Sequence, residues 1–397
     1  MTMEVPRDIV MFSTADWHWP YWTNKQHTAL RLAERGFRVL YVESVGFRAP
    51  RLNAVDFSRI AARIRASRNQ TEVRRNVWVL SPLTIPGGPR LAAVRAFNSA
   101  QLRNGIKRWL SRGCGKPPMF WTYHPFMIDL IDGLRPTCIA YHCVDDVSAI
   151  PGVDTVTYQR EERRLLQRCD HVFATSQILV ERCANIAAGK THYSGNVADV
   201  EHFAAARLAG DVPAELAAIS RPRLAYVGVL SDFKIDLDLV ASIATRRPDW
   251  SIVFVGDERE GQASPAISAL RRMPNVHFLG WKPYATLPSY LRGVDVALLP
   301  QCINAYTRAM FPMKFFEYLS AGKPVVATPL PALEEFSAYH RVGAGVDAFV
   351  THIDEAIADP MHGVLSLDHP VIRKHSWNVR LDGMLKIIAQ RAADSVA

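Results

Sequence analysis

Short apolar runs recur along the whole chain, and between them apolar residues return every three or four positions. Asp8 to Phe12 (DIVMF), Val39 to Val42, Val77 to Leu80, Met119 to Tyr123, Cys138 to His142 and His171 to Thr175 have the length of buried strands. Asn24 to Arg35 reads as a helix closed by Gly36, and Tyr158 to Leu166 and Val180 to Ala184 read as further helices. From Leu224 the alternation is more regular. Leu224 to Val227, Ser251 to Val255, Val276 to Leu279, Val294 to Leu299 and Val325 to Ala327 are strands with helical stretches between them. Strands that alternate with helices imply parallel sheets and the α/β class. Arg207 to Arg223, with Ala, Gly and two prolines, reads as a linker between two domains.

Composition adds little to that picture. The chain has 397 residues, 49% hydrophobic and 21% charged, as expected of a globular protein of about two domains. No apolar run reaches the length of a membrane span, and the start of the chain lacks the basic and apolar regions of a signal peptide. The six cysteines (114, 138, 143, 169, 183 and 302) include no C-x-x-C pair, which argues against zinc and fits a reducing cytoplasm.

Charge changes the picture more. Residues 1–205 hold 27 Lys and Arg against 18 Asp and Glu, so the whole net charge of +9 lies there and the remainder is balanced. Arg48 to Arg75 is arginine-rich, and Pro86-Gly87-Gly88-Pro89 marks a loop after it. Beyond the loop, Leu91, Val94, Leu102, Ile106 and Trp109 form an apolar stripe, with Arg95, Arg103, Lys107, Arg108 and Arg112 elsewhere on the helix. A basic amphipathic helix with a tryptophan suits an anionic membrane surface. It also suits a helix packed on its own sheet with a solvated basic face. Nucleic acid is not expected as a partner, because the basic segments lack interleaved aromatic residues for base stacking.

The stretch from Pro300 to Pro331 carries the sharpest candidate chemistry. It follows an apolar strand, and Pro312 suits the start of a helix in which Phe315, Phe316 and Leu319 recur at helical spacing up to Gly322. A helix that starts just beyond a strand's carboxyl end attracts anions to its amino end. Lys314 lies in the first turn, where a cation opposes the helix dipole unless an anion is bound beside it, and Glu317 lies on the same face. The alternative is a solvated ion pair. Gly228 and Gly256 follow two strands of this half, where a missing side chain lets a phosphate or base approach the backbone, or simply permits a turn.

Two further places hold candidates. The loop after the first strand has no G-x-G-x-x-G and is instead aromatic and polar. Trp17, His18, Trp22, Asn24 and His27 suit an acceptor pocket for sugar rings and hydroxyls, or else a packed loop under the sheet edge. Asp145 and Asp146 are adjacent carboxylates at a strand's carboxyl end, suited either to general-base work or to capping the next turn.

The run PMKFFEYLSAGKPVVA, together with Tyr193 to Phe203 (YSGNVADVEHF), resembles the GT-B glycosyltransferases, most closely the bacterial family 4-like enzymes of surface polysaccharide and teichuronic-acid-type synthesis. The resemblance implies two Rossmann-like parallel-sheet domains facing a central cleft. The N-terminal acceptor-binding domain covers 1–205, the nucleotide-sugar-binding domain 206–375, and a C-terminal helix in 376–397 returns to the first domain. It also implies transfer of a sugar from a UDP- or GDP-linked donor to a polyprenyl-lipid-linked or other saccharide acceptor. No metal or other cofactor is expected, and the enzyme is placed at the inner face of the cell membrane.

Residue by residue, the resemblance puts Lys314 on the donor diphosphate and Glu317 on the ribose. Arg308, Gly228, Gly256, Lys234 and Met313 join the donor set, and Tyr284 belongs to a loop that reads the nucleobase. Tyr141 to Asp146 (YHCVDD) resembles a family stretch in which an Asp acts as base, which implies Asp145, with Asp146 second. Two departures matter. Ala309 stands where many retaining members carry a second Glu, which leaves the anomeric outcome open, and Val229 replaces a usual Arg. A sugar-nucleotide 2-epimerase of the same fold is the alternative enzyme, and a basic nucleic-acid-binding protein the alternative class.

Overall fold

The computed structural model describes residues 6–44, 70–82, 92–113, 115–258, 262 and 264–394. Most of the arginine-rich Arg48 to Arg75 segment, the Pro86 to Pro89 loop, Leu91, and the side chains of Val94 and Arg95 lie outside the described residues. The chain forms two compact units, residues 1–194 with 381–397, and residues 195–380.

The first unit is built on an eight-stranded sheet of β1 (Asp8–Phe12), β2 (Arg38–Val42), β3 (Thr71–Arg74), β4 (Val77–Leu80), β5 (Met119–Thr122), β6 (Cys138–Cys143), β7 (His171–Ala174) and β8 (Thr191–Tyr193). Their order is β3-β4-β2-β1-β5-β6-β7-β8. Every pairing is parallel except β3 with β4. The strand β3 was not expected; its TEVR sequence is polar and mostly exposed, so an edge strand here has little apolar signal. The direction of winding reverses between β1 and β5, and ligands bind outside the carboxyl ends of strands at such a switch point.

Helices α1 (Asn24–Glu34), α2 (Ala92–Leu110), α3 (Thr155–Arg168) and α4 (Gln177–Ala184) belong to this unit. One core cluster joins Ile9, Met11, Val39, Trp121 and Phe173 of the sheet to Leu381, Met384 and Ile388.

The described part of the stripe on α2 faces inward, with Leu102 half-buried and Ile106 and Trp109 buried. Trp109 is 1% exposed and packs against Trp78, with the guanidinium of Arg38 4.7 Å from its ring centre. Trp109 is therefore a core residue and not a membrane anchor, because the apolar stripe finds its partner in the sheet. Arg103 is half-buried, close enough to Gly133 that a β-carbon there would collide with its guanidinium. Lys107, Arg108 and Arg112 are exposed.

The second unit has six parallel strands in the order β11-β10-β9-β12-β13-β14. These are β9 (Arg223–Val227), β10 (Ser251–Val255), β11 (Val276–Phe278), β12 (Val296–Leu299), β13 (Val325–Ala327) and β14 (Arg341–Val342). Ala225 and Val227 face one core cluster with Phe315, Phe316 and Leu319, while Leu224 and Tyr226 face the other with Ile243 and Trp250. Side chains alternating to both faces explain why these strands read as continuous apolar runs. Here the switch point lies between β9 and β12.

The segment from Arg207 to Arg223 is pinned to this unit. Arg207 donates hydrogen bonds to the carbonyls of Leu319, Ser320 and Leu365, and Arg292 donates to those of Ala205, Leu208 and Asp211. The change of unit falls instead at Ser194–Gly195. Helices α5 (Ala305–Ala309) and α6 (Met313–Ser320) follow β12, and α7 (Trp377–Asp394) ends the described chain.

Candidate active site

In the second unit, β9 delivers Gly228 to the switch point with φ +133°, and β10 delivers Gly256 with φ +151°. The Gly228 N–H donates to the Val255 carbonyl at 2.8 Å. A β-carbon on Gly256 would overlap the Gly228 carbonyl, and one on Gly228 would overlap Cε of Lys314. Both positions therefore require glycine, by backbone angle and by space. They let the Lys314 side chain lie directly over the Gly228 backbone, with its ammonium 5.4 Å from the centre of the Tyr226 ring.

Lys314 is held there by α6. Phe315, Phe316 and Leu319 are buried in the core, and the hydroxyl of Tyr318 accepts a hydrogen bond from the Val227 N–H at 2.9 Å. At the amino end of α6, Pro312 stands at the N-cap and supplies no side-chain hydrogen bond. The first amides of α6 thus lack a side-chain cap, which is what an anion site at a helix end requires.

Glu317 lies one turn on and is half-buried. Burial pushes its carboxyl group up, Lys314 opposes that, and Asp199 adds to it. Neither Lys314 nor Glu317 makes an ion pair with any described residue, so the two are not a solvated pair.

The other donor candidates are less concentrated. Met313 opens α6 and is half-buried. Arg308, on α5, is exposed and makes no ion pair among the described residues. Lys234 donates to the Tyr306 hydroxyl at 2.9 Å and lies 4.6 Å from that ring's centre, which commits it to α5. The Tyr284 ring is stacked on His202 at 4.5 Å, and its carbonyl is 2.9 Å from His202 Nε2.

In the first unit, the loop after β1 is mostly packed. Trp17 is 4% exposed, its N–H donates to Glu43, and its ring meets Trp22 and Tyr41. His27 is buried edge-on to Trp22, and Asn24 is buried with its carbonyl accepting from the Tyr123 hydroxyl. Trp17 and His27 are thus wall rather than sugar platform, because the loop folds onto the sheet. His18 is exposed and Trp22 half-buried, so these two remain reachable.

The two aspartates after β6 part company. Asp146 caps the following turn, accepting from the Ser148 N–H and hydroxyl, and pairs with Arg182 at 2.6 Å. Arg182 also reaches buried Glu162 at 3.2 Å, and Glu162 accepts from Tyr141. Asp146 is therefore fixed in a structural network. Asp145 is half-buried and sits in the field of Lys25.

Lys25 was missed in the sequence. It is buried, its ammonium lies 5.5 Å from the centre of the Tyr123 ring, and it stands in the first turn of α1. The signal was the one that singled out Lys314, a cation at the wrong end of a helix dipole.

Among the described residues, no group of His, Cys, Asp and Glu is arranged to hold a metal ion, and no helix is long and apolar enough to cross a membrane.

The two parallel-sheet, Rossmann-like units have the fold of the GT-B glycosyltransferases. Residues 221–365 match the family model described as Glycosyl transferases group 1. The chain is 33% identical over 179 residues to the putative teichuronic acid biosynthesis glycosyltransferase TuaH of Bacillus subtilis (strain 168). That match spans 43% of this chain and 43% of the relative, less than half the length of either. Among solved structures, the sucrose-phosphate synthase of Thermosynechococcus elongatus matches with a TM-score of 0.69 at 16% identity, covering 98% of this chain and 99% of that one. Anabaena Alr3699/HepE, in complex with UDP, matches with a TM-score of 0.60 at 15% identity, again covering 98% and 99%.

Proposed function

We propose that this protein is a glycosyltransferase that moves a sugar from a nucleoside-diphosphate donor to a saccharide acceptor in bacterial surface polysaccharide synthesis. The observation that carries the proposal is Lys314, laid over Gly228 at the uncapped end of α6 and paired with no carboxylate among the described residues. A cation, a helix end and a bare glycine backbone together suit a diphosphate, and half-buried Glu317 suits the ribose hydroxyls beside it. The relative TuaH, named for teichuronic acid biosynthesis, and HepE, solved with UDP, support the class and favour UDP as the nucleotide.

In this reading Asp145 is the general base. It takes the proton of an acceptor hydroxyl while the oxygen bonds to the anomeric carbon and the bond to the diphosphate breaks. Lys314 and the α6 dipole stabilise the departing charge, so the reaction runs without a metal ion. Ala309, standing where a retaining enzyme carries its second Glu, favours inversion. The acceptor is lipid-linked, and the exposed residues Lys107, Arg108 and Arg112 of α2 hold the protein on an anionic membrane surface, each contributing about 1 kcal/mol.

The test is a panel of UDP- and GDP-sugars, incubated with and without polyprenyl-linked saccharide in anionic vesicles. Transfer that needs both donor and lipid, with inverted configuration and roughly 10²-fold less turnover in Asp145→Asn, is the expected result. An altered sugar nucleotide with no transfer would replace this reading with the epimerase.

A further inference from the structure

Several half-buried cations of this protein are well supplied with partners. Arg207 has three carbonyls, Arg182 has two carboxylates, and Lys323 has the carbonyls of Arg292 and Val294. Lys25 differs. It is 8% exposed, yet it makes no hydrogen bond and no ion pair among the described residues. Holding an ammonium with so little exposure and no partner is unfavourable, so a ligand that completes the group is the natural explanation for keeping it. Burial pulls its ammonium below the usual lysine range, and Asp145 is the charge that opposes this.

The surroundings say which ligand chemistry fits. Lys25 stands in the first turn of α1, the helix that follows β1, and its ammonium faces the ring of Tyr123, the residue just beyond the carboxyl end of β5; β1 and β5 are the two strands that flank the switch point. Tyr123 is a fixed wall, because its hydroxyl meets the Asn24 carbonyl and His142 Nδ1, each at 3.2 Å. An anion is disfavoured here for two reasons. The amino end of α1 is already closed by a capping box between Thr23 and Gln26, and Asp145 contributes a negative charge nearby. A second cation is disfavoured by Lys25 itself. A hydroxyl, which can accept a hydrogen bond from an ammonium and donate one to a carboxylate at once, suits both neighbours.

We propose that Lys25 and Asp145 together hold the attacking hydroxyl of the acceptor, Lys25 donating a hydrogen bond to its oxygen and Asp145 accepting its hydrogen. This inference rests on the glycosyltransferase reading above. During transfer the O–H bond breaks and its proton passes to Asp145, while the oxygen lone pair bonds to the anomeric carbon and the donor's carbon–oxygen bond gives its electrons to the diphosphate. Lys25 keeps its protons throughout and stabilises the negative charge that grows on the oxygen. The acceptor is therefore selected as a neutral sugar hydroxyl at this point, with any phosphate it carries placed elsewhere.

Two measurements test this. Lys25→Met should lower kcat roughly 10²-fold and raise the acceptor KM about tenfold, with UDP affinity unchanged and a melting temperature no lower than wild type. Lys25→Arg, which keeps the charge, should recover part of the loss. Unaltered kcat and acceptor KM in Lys25→Met would overturn the proposal, and so would a loss accompanied by a lower melting temperature and weaker UDP binding, which marks a structural role. The second measurement needs no variant and no turnover. Acetylation of Lys25 by acetic anhydride, followed by peptide mass spectrometry, should be slowed by one or more members of a p-nitrophenyl glycoside panel and not by UDP. Protection without any transfer would remove the glycosyltransferase reading and keep the hydroxyl site. Transfer without protection by any glycoside would do the reverse.

Discussion

The two switch points carry the same local device, to which the proposed function gives different ligands. In each unit a helix that follows a switch-point strand has a lysine as its second residue, Lys25 in α1 after β1 and Lys314 in α6 after β12 and the short α5. What surrounds the lysine decides its use. Thr23 and Gln26 close the end of α1, and Lys25 is buried under Tyr123 near Asp145. Pro312 leaves α6 without a side-chain cap, and Lys314 lies half-exposed across the bare backbone of Gly228. Helix dipole and lysine charge are common to both sites, so neither alone identifies a phosphate site. In the proposed reading, the cap, the neighbouring carboxylate and the glycine separate a site for a charged ligand from one for a neutral hydroxyl.

The comparison can be broken most severely at Gly228. Gly228→Ala forces a side chain into a backbone conformation that costs about 1–3 kcal/mol, and it also pushes Lys314 aside. Both the melting temperature and UDP affinity should fall, read by calorimetry; wild-type affinity would show that the crossing of Lys314 over Gly228 is irrelevant to binding. Next in size, Lys314→Ala should weaken UDP binding by about 1.5–3 kcal/mol and turnover by more, because its contact is charge-assisted and strengthens as the diphosphate departs. Glu317→Gln should weaken UDP and the sugar nucleotide equally, with a smaller effect on turnover at saturation. Equal kinetic profiles for the two variants would refute the division of roles between them. The smallest effect belongs to the cap. Gln26→Ala removes the acceptor of the Thr23 N–H and hydroxyl, and should cost about 1 kcal/mol of stability while leaving UDP affinity intact.

The helix Met313–Ser320 was legible in sequence because everything that specifies it is local. An apolar strand, helical spacing of Phe315, Phe316 and Leu319, and a closing glycine stand within a few residues of one another. Asp145 and Asp146 were legible only as a pair. Identical neighbours are separated by a turn in which one becomes the cap, and by Arg182, which approaches from α4. Trp109 shows where periodicity fails. An apolar stripe with basic flanks has the same pattern whether it meets lipid or sheet, and only the position of Trp78 and Arg38 decides. The linker was misplaced because Ala and Pro were weighed and the arginines were not, although Arg207 and Arg292 are what bind that segment to the second unit. Lys25 stayed hidden because Asp145, Tyr123 and His142 come from other strands of the sheet.

Leu381, Met384 and Ile388 lie in the same core as Ile9, Met11 and Trp121, and Arg35 pairs with Asp382 at 2.7 Å. On the ribosome, where domains otherwise fold in the order they appear, this one inverts the sequence of events. The unit that holds Lys25 and Asp145 begins first, but it lacks part of its core until the whole of the second unit has been made. The second unit's strands and core lie entirely within residues 195–380, so it can close while the first is still waiting. A chain stopped anywhere before Leu381 would carry a finished second unit joined to a first unit whose core still has an open seam.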